Sequence, residues 1–357
     1  MTDTQRVNIG VVGCGPVAQF AHFDACRKAR NAHLYAICDL AEDLVRRMAA
    51  IHQPDRAFLE YEEMLADPAL DAVIVATADA FHVPLARQAL RAGKHVLVEK
   101  PLGTTVEECE ALGRDVKAAG RVLQVGNNRR FDPGMTFAHQ FIAEEMGEVV
   151  AMKAWYRDST LRYTMTDNLQ PIPIQSAGAR RPALDPKADR KRYFMLTHGS
   201  HLVDTARFLA GELVAVRARL VQRFDAYCWF VDTELEEGRL GHLELTIPVR
   251  GDMEEGFHIW GEFGSAQGRS YLPWYHKSSE VECFSSRDEV YRRPLGADAY
   301  SYKLQIEGFA DAILSGTPSL GATVDDGTAA IRALVAIARS VDNEGERVAL
   351  DQASGAI

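Results

Sequence analysis

Residues 7–18, VNIGVVGCGPVA, decide the fold of this chain. An apolar strand, Val7–Val12, leads into a GxGxxA turn and then into a predicted helix. The first glycine of such a turn permits the tight bend, the second lets the backbone approach a pyrophosphate, and the small third residue lets the helix pack against the sheet. The helix N-terminus offers free N–H groups to phosphate, and a proline is tolerated there. The stretch therefore predicts a dinucleotide-binding turn made of Gly13, Gly15, Pro16, Val17 and Ala18.

Strands and helices alternate through the first third of the chain. Apolar runs typical of buried parallel strands occur at 33–38, 72–77, 95–98 and 122–125, and helices are predicted between them at 17–29, 44–51, 83–92 and 106–119. Continuous apolar runs are expected for strands covered on both faces. The alternation predicts a parallel sheet with crossover helices, an α/β fold of the Rossmann type.

Asp39 stands at the end of the second predicted strand. A carboxylate in that position can hold both ribose hydroxyls of NAD, and it would repel the 2′-phosphate of NADP. The same side chain could instead cap the helix that starts near Ala41, and both roles could hold together. We predict NAD as the cofactor.

Length and composition bound the class of protein. With 357 residues the chain is long enough for two domains, and 47% hydrophobic and 25% charged residues are ordinary for a globular protein. The net charge of −10 argues against nucleic acid as the main partner, since phosphate binding needs a basic face. No apolar run is long enough to span a membrane, and the N-terminus shows no signal-peptide pattern, so we expect a cytoplasmic protein.

The six cysteines are expected to be reduced thiols. Their spacing contains no CxxC pair, so neither a zinc site nor a redox dithiol is predicted, and no metal is expected.

Residues 95–101, HVLVEKP, resemble the EKP motif of the glucose-fructose oxidoreductase / inositol dehydrogenase / MocA (Gfo/Idh/MocA) family. Other segments resemble the family's motifs in the same order along nearly the whole chain: 76–82 (ATADAFH), 125–131 (VGNNRRF), 199–204 (GSHLVD), 259–265 (IWGEFGS) and 325–327 (DDG).

The resemblance implies an NAD-binding Rossmann domain over residues 1–130 and an α+β domain for substrate binding and oligomerisation over 131–357. The second domain would carry an open, mostly antiparallel sheet, and the family commonly forms homodimers or homotetramers through it. The composition agrees, because residues 214–222, 228–236, 239–249, 256–263, 280–285 and 289–293 are predicted strands. Helices predicted at 303–314 and 324–340 would pack back at the domain junction.

The chemistry implied is hydride transfer between NAD and a secondary hydroxyl of a sugar, sugar acid or cyclic polyol. Such a reaction needs a base near neutral pKa. Lys100 of EKP is the first choice, because a lysine beside the positive nicotinamide ring and partly desolvated should have a lowered pKa. Glu99 would orient the site or hold Lys100, and His201 of GxHxxD would share the acid–base work, with Asp204 able to fix its tautomer. The resemblance also assigns Thr77, His82, Glu99, Lys100 and Asn128 to the cofactor, and Lys100, Arg129 and His201 to the substrate, to which we add Tyr156 as a candidate.

The chain departs from the family four residues before His201. Many members carry an aspartate there, and this chain has Thr197 followed by His198. Threonine can hydrogen-bond but cannot act as a base near neutral pH. Either His198 supplies the titratable group, or Lys100 and His201 suffice; Thr197 and His198 are both candidate substrate-binding residues.

Residues 179–193, ARRPALDPKADRKRY, form a basic stretch in an unusually long irregular segment. Arg180, Arg181 and Arg192 could bind an anionic substituent of the substrate, since arginine pairs well with carboxylate, phosphate or sulfonate. The stretch is equally compatible with a solvated loop or a subunit contact. Residues at the end of the preceding strand, Trp155, Tyr156 and Arg157, together with Tyr163, could add a stacking wall for a sugar ring, and a strand end that faces the core explains the aromatic residues equally well.

Two other functions remain open at this point. One is an NAD-dependent, redox-neutral glycoside hydrolase acting through a 3-keto intermediate, for example on sulfoquinovosides, with which the basic stretch would agree. The other is a non-catalytic NAD-binding regulator, because a Rossmann fold does not specify chemistry. The presence of Glu99, Lys100 and His201 together argues against the regulator.

Overall fold

The computed structural model describes residues 5–159, 172–180, 182 and 187–357. Its contacts divide the chain into two compact units. The first contains the described residues of 1–128, 170–188 and 302–328, and the second those of 129–169, 189–301 and 329–357. Residues 302–328 thus lie in the first unit, while the boundary near 130 and the packing of the last helices stay predictions.

The first unit is built on a six-stranded sheet with the order β3-β2-β1-β4-β5-β6. Every pair of neighbouring strands is parallel. The strands are β1 (Val7–Val12), β2 (Ala32–Cys38), β3 (Arg56–Phe58), β4 (Ala72–Val75), β5 (His95–Val98) and β6 (Leu123–Val125). Strand β4 is apolar and wholly buried, and β1 is buried except at Asn8, as a sheet covered on both faces requires.

Helices connect these strands. They are α1 (Phe23–Lys28), α2 (Glu42–His52), α3 (Tyr61–Ala66), α4 (His82–Arg91) and α5 (Val106–Ala119), and a π turn at Ala18–His22 runs directly into α1. Helix α5 begins with a capping box, in which Thr105 accepts from the N–H of Glu108 and the Glu108 carboxylate accepts in return. Neither β3 nor α3 was predicted, because each is too short to show a clear period.

The second unit contains a nine-stranded mixed sheet with the order β14-β13-β12-β11-β7-β10-β9-β8-β15. All neighbours are antiparallel except β7 and β10. Its strands are β7 (Val149–Arg157), β8 (Leu213–Arg223), β9 (Ala226–Leu235), β10 (Leu240–Ile247), β11 (Glu254–Gly261), β12 (Gly264–Ser270), β13 (Glu280–Ser285), β14 (Val290–Arg292) and β15 (Val348–Ala349). Strand β12 was not predicted, since GSAQGRS has few strand-forming residues and is held by pairing on both sides.

One face of this sheet is buried and the other is exposed. Along β9, Trp229 and Val231 are buried while Phe230 between them is exposed, the alternation of a sheet packed on one side only. The remaining helices are α6 (Pro133–Glu144), α7 (Arg190–Phe194), α8 (Ser200–Ala210), α9 (Ser301–Ser315) and α10 (Val324–Asp342), with a second π turn at Met195–Gly199.

Two further features bear on the sequence predictions. In the described part of the chain no helix combines the length and the apolar character needed to cross a membrane. All six cysteines are described, and none of them forms a disulfide.

Candidate active site

The sheet of the first unit places the predicted cofactor-binding residues along one of its edges. Gly13, Asp39, Thr77, Glu99 and Asn128 follow the carboxyl ends of β1, β2, β4, β5 and β6. The strand order reverses between β1 and β4. Ligands of open α/β sheets bind at such a reversal, outside the carboxyl ends of the strands.

The glycine turn has the geometry that its sequence predicts. Gly13 has φ +95°, and a Cβ there would lie 2.6 Å from the carbonyl oxygen of Ala76, so a larger residue is excluded. A Cβ on Gly15 would meet no atom within 4 Å, which leaves open space beside this backbone. Ala18 is fully buried at the start of the π turn. The turn can therefore admit a pyrophosphate at Gly15.

Asp39 is held by two backbone N–H groups. Its Oδ2 accepts from Cys14 at 2.8 Å and its Oδ1 accepts from Ala41 at 2.9 Å. Helix α2 begins one residue later, and its N-cap Ala41 has no side-chain cap. Asp39 thus forms the turn before the helix and also faces the glycine turn, so the two roles left open by the sequence are compatible.

The first unit has groups that fit an NAD molecule. The turn Gly13–Ala18 would hold the pyrophosphate and Asp39 the adenosine ribose. Within the described residues, the buried Oγ1 of Thr77 and the buried Oδ1 of Asn127 have no hydrogen-bond partner. Buried polar groups are normally satisfied, so these two oxygens at the carboxyl edge are consistent with a polar ligand.

Glu99 and Lys100 follow β5 directly. The Glu99 carboxylate is buried, its Oε1 lies 2.8 Å from Nε2 of His22, and its Oε2 accepts from the backbone N–H of Lys100 at 3.2 Å. His82 lies between two backbone carbonyls, with Nδ1 2.7 Å from Pro101 O and Nε2 3.1 Å from Thr77 O. His82 therefore links the turn after β4 to the EKP turn. The resemblance implied a cofactor contact for this histidine.

In the second unit, two histidines gather around Tyr156. The ring of Tyr156 lies 5.3 Å from that of His198 and 6.2 Å from that of His201, and the rings of Tyr156 and His201 are nearly parallel. Nδ1 of His198 is 3.9 Å from Oδ2 of Asp158. The cluster therefore combines a buried aromatic face with two imidazoles and a carboxylate.

Trp155 does not belong to this cluster, because successive residues of a strand point to opposite faces of the sheet. Tyr156 faces the buried side, whereas Trp155 lies over Gly256 on strand β11, where a Cβ would be 2.5 Å from its ring. The predicted stacking wall of Trp155 and Tyr156 is therefore wrong as a single surface, and Tyr163 lies outside the described residues.

The residues around the histidines have defined partners. The Thr197 hydroxyl donates to the carbonyl of Tyr193 at 2.6 Å, one turn earlier. Asp204 accepts from Arg130 through two nitrogens, at 2.7 and 3.0 Å, and both side chains are buried. Thr197 thus uses its hydroxyl within its own helical segment, and Asp204 forms a buried ion pair.

Arg129, predicted to bind substrate, has a similar structural pairing. It donates to both oxygens of Glu255, at 2.6 and 3.2 Å, and to the carbonyl of Tyr271 at 2.9 Å. The guanidinium is buried with these partners, so the structure gives no support to a substrate contact by Arg129.

The structure divides the predicted basic stretch between the units. Arg180, in the first unit, places its guanidinium 5.0 Å from the ring centre of Phe81. In the second unit, Arg190 lies over the rings of Phe194 and Tyr227, and Lys191 pairs with Asp342 at 3.0 Å. Arg192 donates its backbone N–H to Asp189. Arg181 lies outside the described residues.

Sequence reasoning missed three residues of these sites. His22 and Gln19 lie on the first helical turns, where the sequence suggested only packing, yet Gln19 bonds both to Cys14 O and to the backbone of Ile174. Asp158 follows strand β7. For His22, the signal was a histidine four residues after Ala18, on the helix that carries the glycine turn.

Comparisons with known proteins agree with this architecture. Residues 7–127 match the family GFO_IDH_MocA, described as "Oxidoreductase family, NAD-binding Rossmann fold", and residues 193–350 match its C-terminal alpha/beta domain. Inositol 2-dehydrogenase 2 of Saccharopolyspora erythraea is 30% identical over 94% of this chain and 93% of its own length. Inositol 2-dehydrogenase of Rubrobacter xylanophilus is 24% identical over 92% of this chain and 89% of its own length.

Among solved structures, a levoglucosan dehydrogenase in complex with NADH superposes with a TM-score of 0.80 and 22% identity, covering 97% of this chain and 99% of its own. That likeness shows the fold. The predicted fold class, family and cofactor are thereby confirmed: the chain belongs to the Gfo/Idh/MocA oxidoreductase family, and its residues 7–127 form that family's NAD-binding Rossmann fold.

Proposed function

We propose that this protein transfers hydride between NAD and a secondary hydroxyl of a neutral cyclic polyol or sugar, with Lys100 as the proton acceptor. The observation that carries the proposal is the fixed position of Lys100. Its backbone is tied to the buried carboxylate of Glu99, which His22 holds in turn, at the same sheet edge as the glycine turn.

The reaction requires two bonds of the alcohol to break. NAD, when bound, supplies the acceptor for the hydride that leaves the carbon. Lys100 as a neutral amine takes the proton of the hydroxyl group, and the O–H electron pair left on oxygen forms the second C–O bond as the C–H pair leaves with the hydride. In the reverse direction the Lys100 ammonium returns the proton to the carbonyl oxygen.

The second unit is proposed to recognise the sugar or polyol. Tyr156 offers an aromatic ring, and His198 and His201 offer nitrogen atoms that can bond hydroxyl groups. His198 beside Asp158 is the titratable group nearest in sequence to the aspartate that many relatives carry. We therefore assign His201 a share of the acid–base work and His198 a supporting role.

The substrate class rests on two supports. Relatives that cover nearly the whole chain are named inositol 2-dehydrogenases, and a protein of the same fold is named levoglucosan dehydrogenase. Two of the described basic residues are already engaged, because Lys191 has a carboxylate partner and Arg190 lies over aromatic rings, and we take this to favour a neutral substrate. An anionic sugar, or a hydrolase that acts on sulfonated glycosides, would need an anion clamp, for which these contacts give little support.

We also propose a homodimer or homotetramer formed through the exposed face of the nine-stranded sheet. Val221, Phe230 and Leu240 are exposed by 52%, 45% and 61% on adjacent strands of that face. Exposed large apolar side chains on one sheet face can belong to a protein interface. Light scattering coupled to size-exclusion chromatography measures the mass, and Phe230→Glu should lower it.

The direct test is a substrate panel with NAD. We expect NADH absorbance to grow with at least one of myo-inositol, scyllo-inositol, levoglucosan and glucose, and more slowly with glucuronate. The same panel should include p-nitrophenyl glycosides, neutral and sulfonated. Release of nitrophenol without net NADH would instead identify the redox-neutral hydrolase, and NAD binding without turnover of any compound would favour the regulator.

A further inference from the structure

His22 lies in the π turn Ala18–His22, on the helical segment that starts at the glycine turn. Its side chain is fully buried, and its ring meets that of Tyr302 edge to face at 5.6 Å. Nε2 is 2.8 Å from Oε1 of Glu99. A carboxylate can only accept, so Nε2 carries the hydrogen and donates to it.

The Glu99 carboxylate has both oxygens engaged in a tight enclosure. Oε1 accepts from His22 and Oε2 accepts from the Lys100 backbone. On the other side, Gly126 comes so close that a Cβ would lie 3.0 Å from the Glu99 Cα and 3.1 Å from its carboxyl carbon. The carboxylate is therefore confined to one orientation, which His22 defines from one side and Lys100 from the other.

The charge on Glu99 depends on these neighbours. Burial alone would raise the pKa of this carboxyl, but the hydrogen bond and the electrostatic interaction with His22, followed by the positive charge of Lys100, outweigh burial and keep its pKa below the ordinary value. His82 contributes in the same direction. In return, an ionised Glu99 favours the ammonium form of Lys100.

We propose that His22 is a positioning residue, which keeps the Glu99 carboxylate ionised and aimed at the Lys100 backbone and thereby sets the reactivity of the Lys100 amine. This inference rests on the proton-accepting role proposed for Lys100. It assigns a function to a residue of the nucleotide-binding helix that touches neither substrate nor cofactor in the proposed mechanism.

The experiment measures the amine of Lys100 directly. The full-length protein is labelled with trace acetic anhydride between pH 6 and 11, and the acetylated Lys100 peptide is quantified by mass spectrometry. Lys117, exposed on α5, serves as the internal reference. The variants are His22→Leu, which removes the donor, and His22→Gln, which keeps an N–H group able to reach Glu99.

In His22→Leu we expect the pH of half-maximal labelling of Lys100 to fall by about one unit, because the buried Glu99 carboxyl takes up a proton once its donor is lost and its charge then no longer favours the Lys100 ammonium. His22→Gln should restore most of the wild-type value. On any substrate of the panel, the pH at which kcat for alcohol oxidation reaches half its maximum should fall in His22→Leu by about as much as the labelling pH, because Lys100 must be a neutral amine to accept the proton, while the Kd for NAD stays within about threefold.

If the pH of half-maximal labelling of Lys100 stays the same or rises in His22→Leu, the inference is wrong. It is also wrong if His22→Gln shows the same labelling pH as His22→Leu. If His22→Leu does not fold, Glu99→Gln removes the same negative charge, and it must lower the labelling pH of Lys100 or the inference fails. A wild-type protein that turns over no substrate would defeat the proposed function, whereas the labelling result would still decide the role of His22.

Discussion

The backbone N–H of Cys14 donates a 2.8 Å hydrogen bond to Oδ2 of Asp39, which joins the glycine turn to the end of β2. The other oxygen of Asp39 accepts from Ala41. The negative charge is thus fixed beside the turn that would hold the pyrophosphate, where the 2′ position of an adenosine ribose is read in this fold.

The first prediction is that NAD binds more tightly than NADP. Asp39→Ala should raise the Kd for NAD by about 10–100-fold, since hydrogen bonds to a charged group are lost. It should also narrow the difference between the Kd values for NAD and NADP. Asp39→Asn is the matched control, because its amide oxygen can still accept from Cys14 without the charge. Titration of protein fluorescence gives both dissociation constants, and a wild-type preference for NADP would contradict this assignment.

The second prediction concerns Lys100. Lys100→Met should reduce kcat to at most about one hundredth, because a positioned proton acceptor typically contributes ~10²–10⁴-fold. The Kd for NAD should stay within about threefold, since the glycine turn is untouched. Lys117→Met, on the exposed side of α5, controls for loss of a lysine charge. Turnover of Lys100→Met near the wild-type rate would remove this residue from the mechanism.

Sequence patterns predicted the first unit well because its signals are local. A strand, the glycine turn and Asp39 specify one geometry, and the structure has it. The partners of buried charges could not be predicted in the same way. Arg129 and Arg130 are adjacent, yet they pair with Glu255 and Asp204, which are far away in the chain and become neighbours only through the fold.

His22 shows the same limit. The sequence placed it on a helix face next to the glycine turn, and a buried histidine there is compatible with simple packing. Its partner Glu99 stands after a strand two positions away in the sheet order. Only the three-dimensional arrangement reveals that the first helix contacts the EKP turn.

The third prediction separates Thr197 from His198. The Thr197 hydroxyl donates to Tyr193 O, so Thr197→Val should remove one hydrogen bond, with a loss of about 1 kcal/mol in stability and a mild effect on kcat. His198→Ala should lower kcat/KM about tenfold or more on the same substrate, because it removes an imidazole beside Asp158 and Tyr156. If the two substitutions change kcat/KM equally, His198 has only a structural role.

The fourth prediction concerns thiol reactivity. Burial raises the pKa of Cys38 and of Cys283 to about 12, and it raises the pKa of the other four cysteines as well. Thiolate is the reactive form, so at pH 8 a raised pKa makes these residues slow to react. Ellman's reagent should therefore titrate at most Cys228, the one cysteine of the six that is not fully buried, within minutes, and all six after unfolding. Rapid reaction of several thiols in native protein, or in Cys228→Ser, would contradict the buried positions.

The last prediction tests the ion pair between Arg130 and Asp204. Both side chains are at most 7% exposed, and two guanidinium nitrogens bond the carboxylate. Arg130→Met should lower the free energy of unfolding by about 3–5 kcal/mol, because it leaves a buried carboxylate without its counter-ion. The surface pair of Arg292 and Asp288 is the control, and Arg292→Met should lower the free energy of unfolding by no more than about 1 kcal/mol.

The pH dependence identifies the cause of the Arg130 effect. Without Arg130, the buried Asp204 can be neutralised by taking up a proton in the folded state. The difference in free energy of unfolding between wild type and Arg130→Met should therefore shrink as the pH falls from 7 towards 5. Adding Asp204→Leu to Arg130→Met should recover part of the lost stability for the same reason. Urea unfolding at the two pH values measures both effects. The loss of unfolding free energy could instead be the same at pH 5 and pH 7 and remain in the double variant. Arg130 would then stabilise the protein through packing, for instance over the ring of Phe208, and not through its charge.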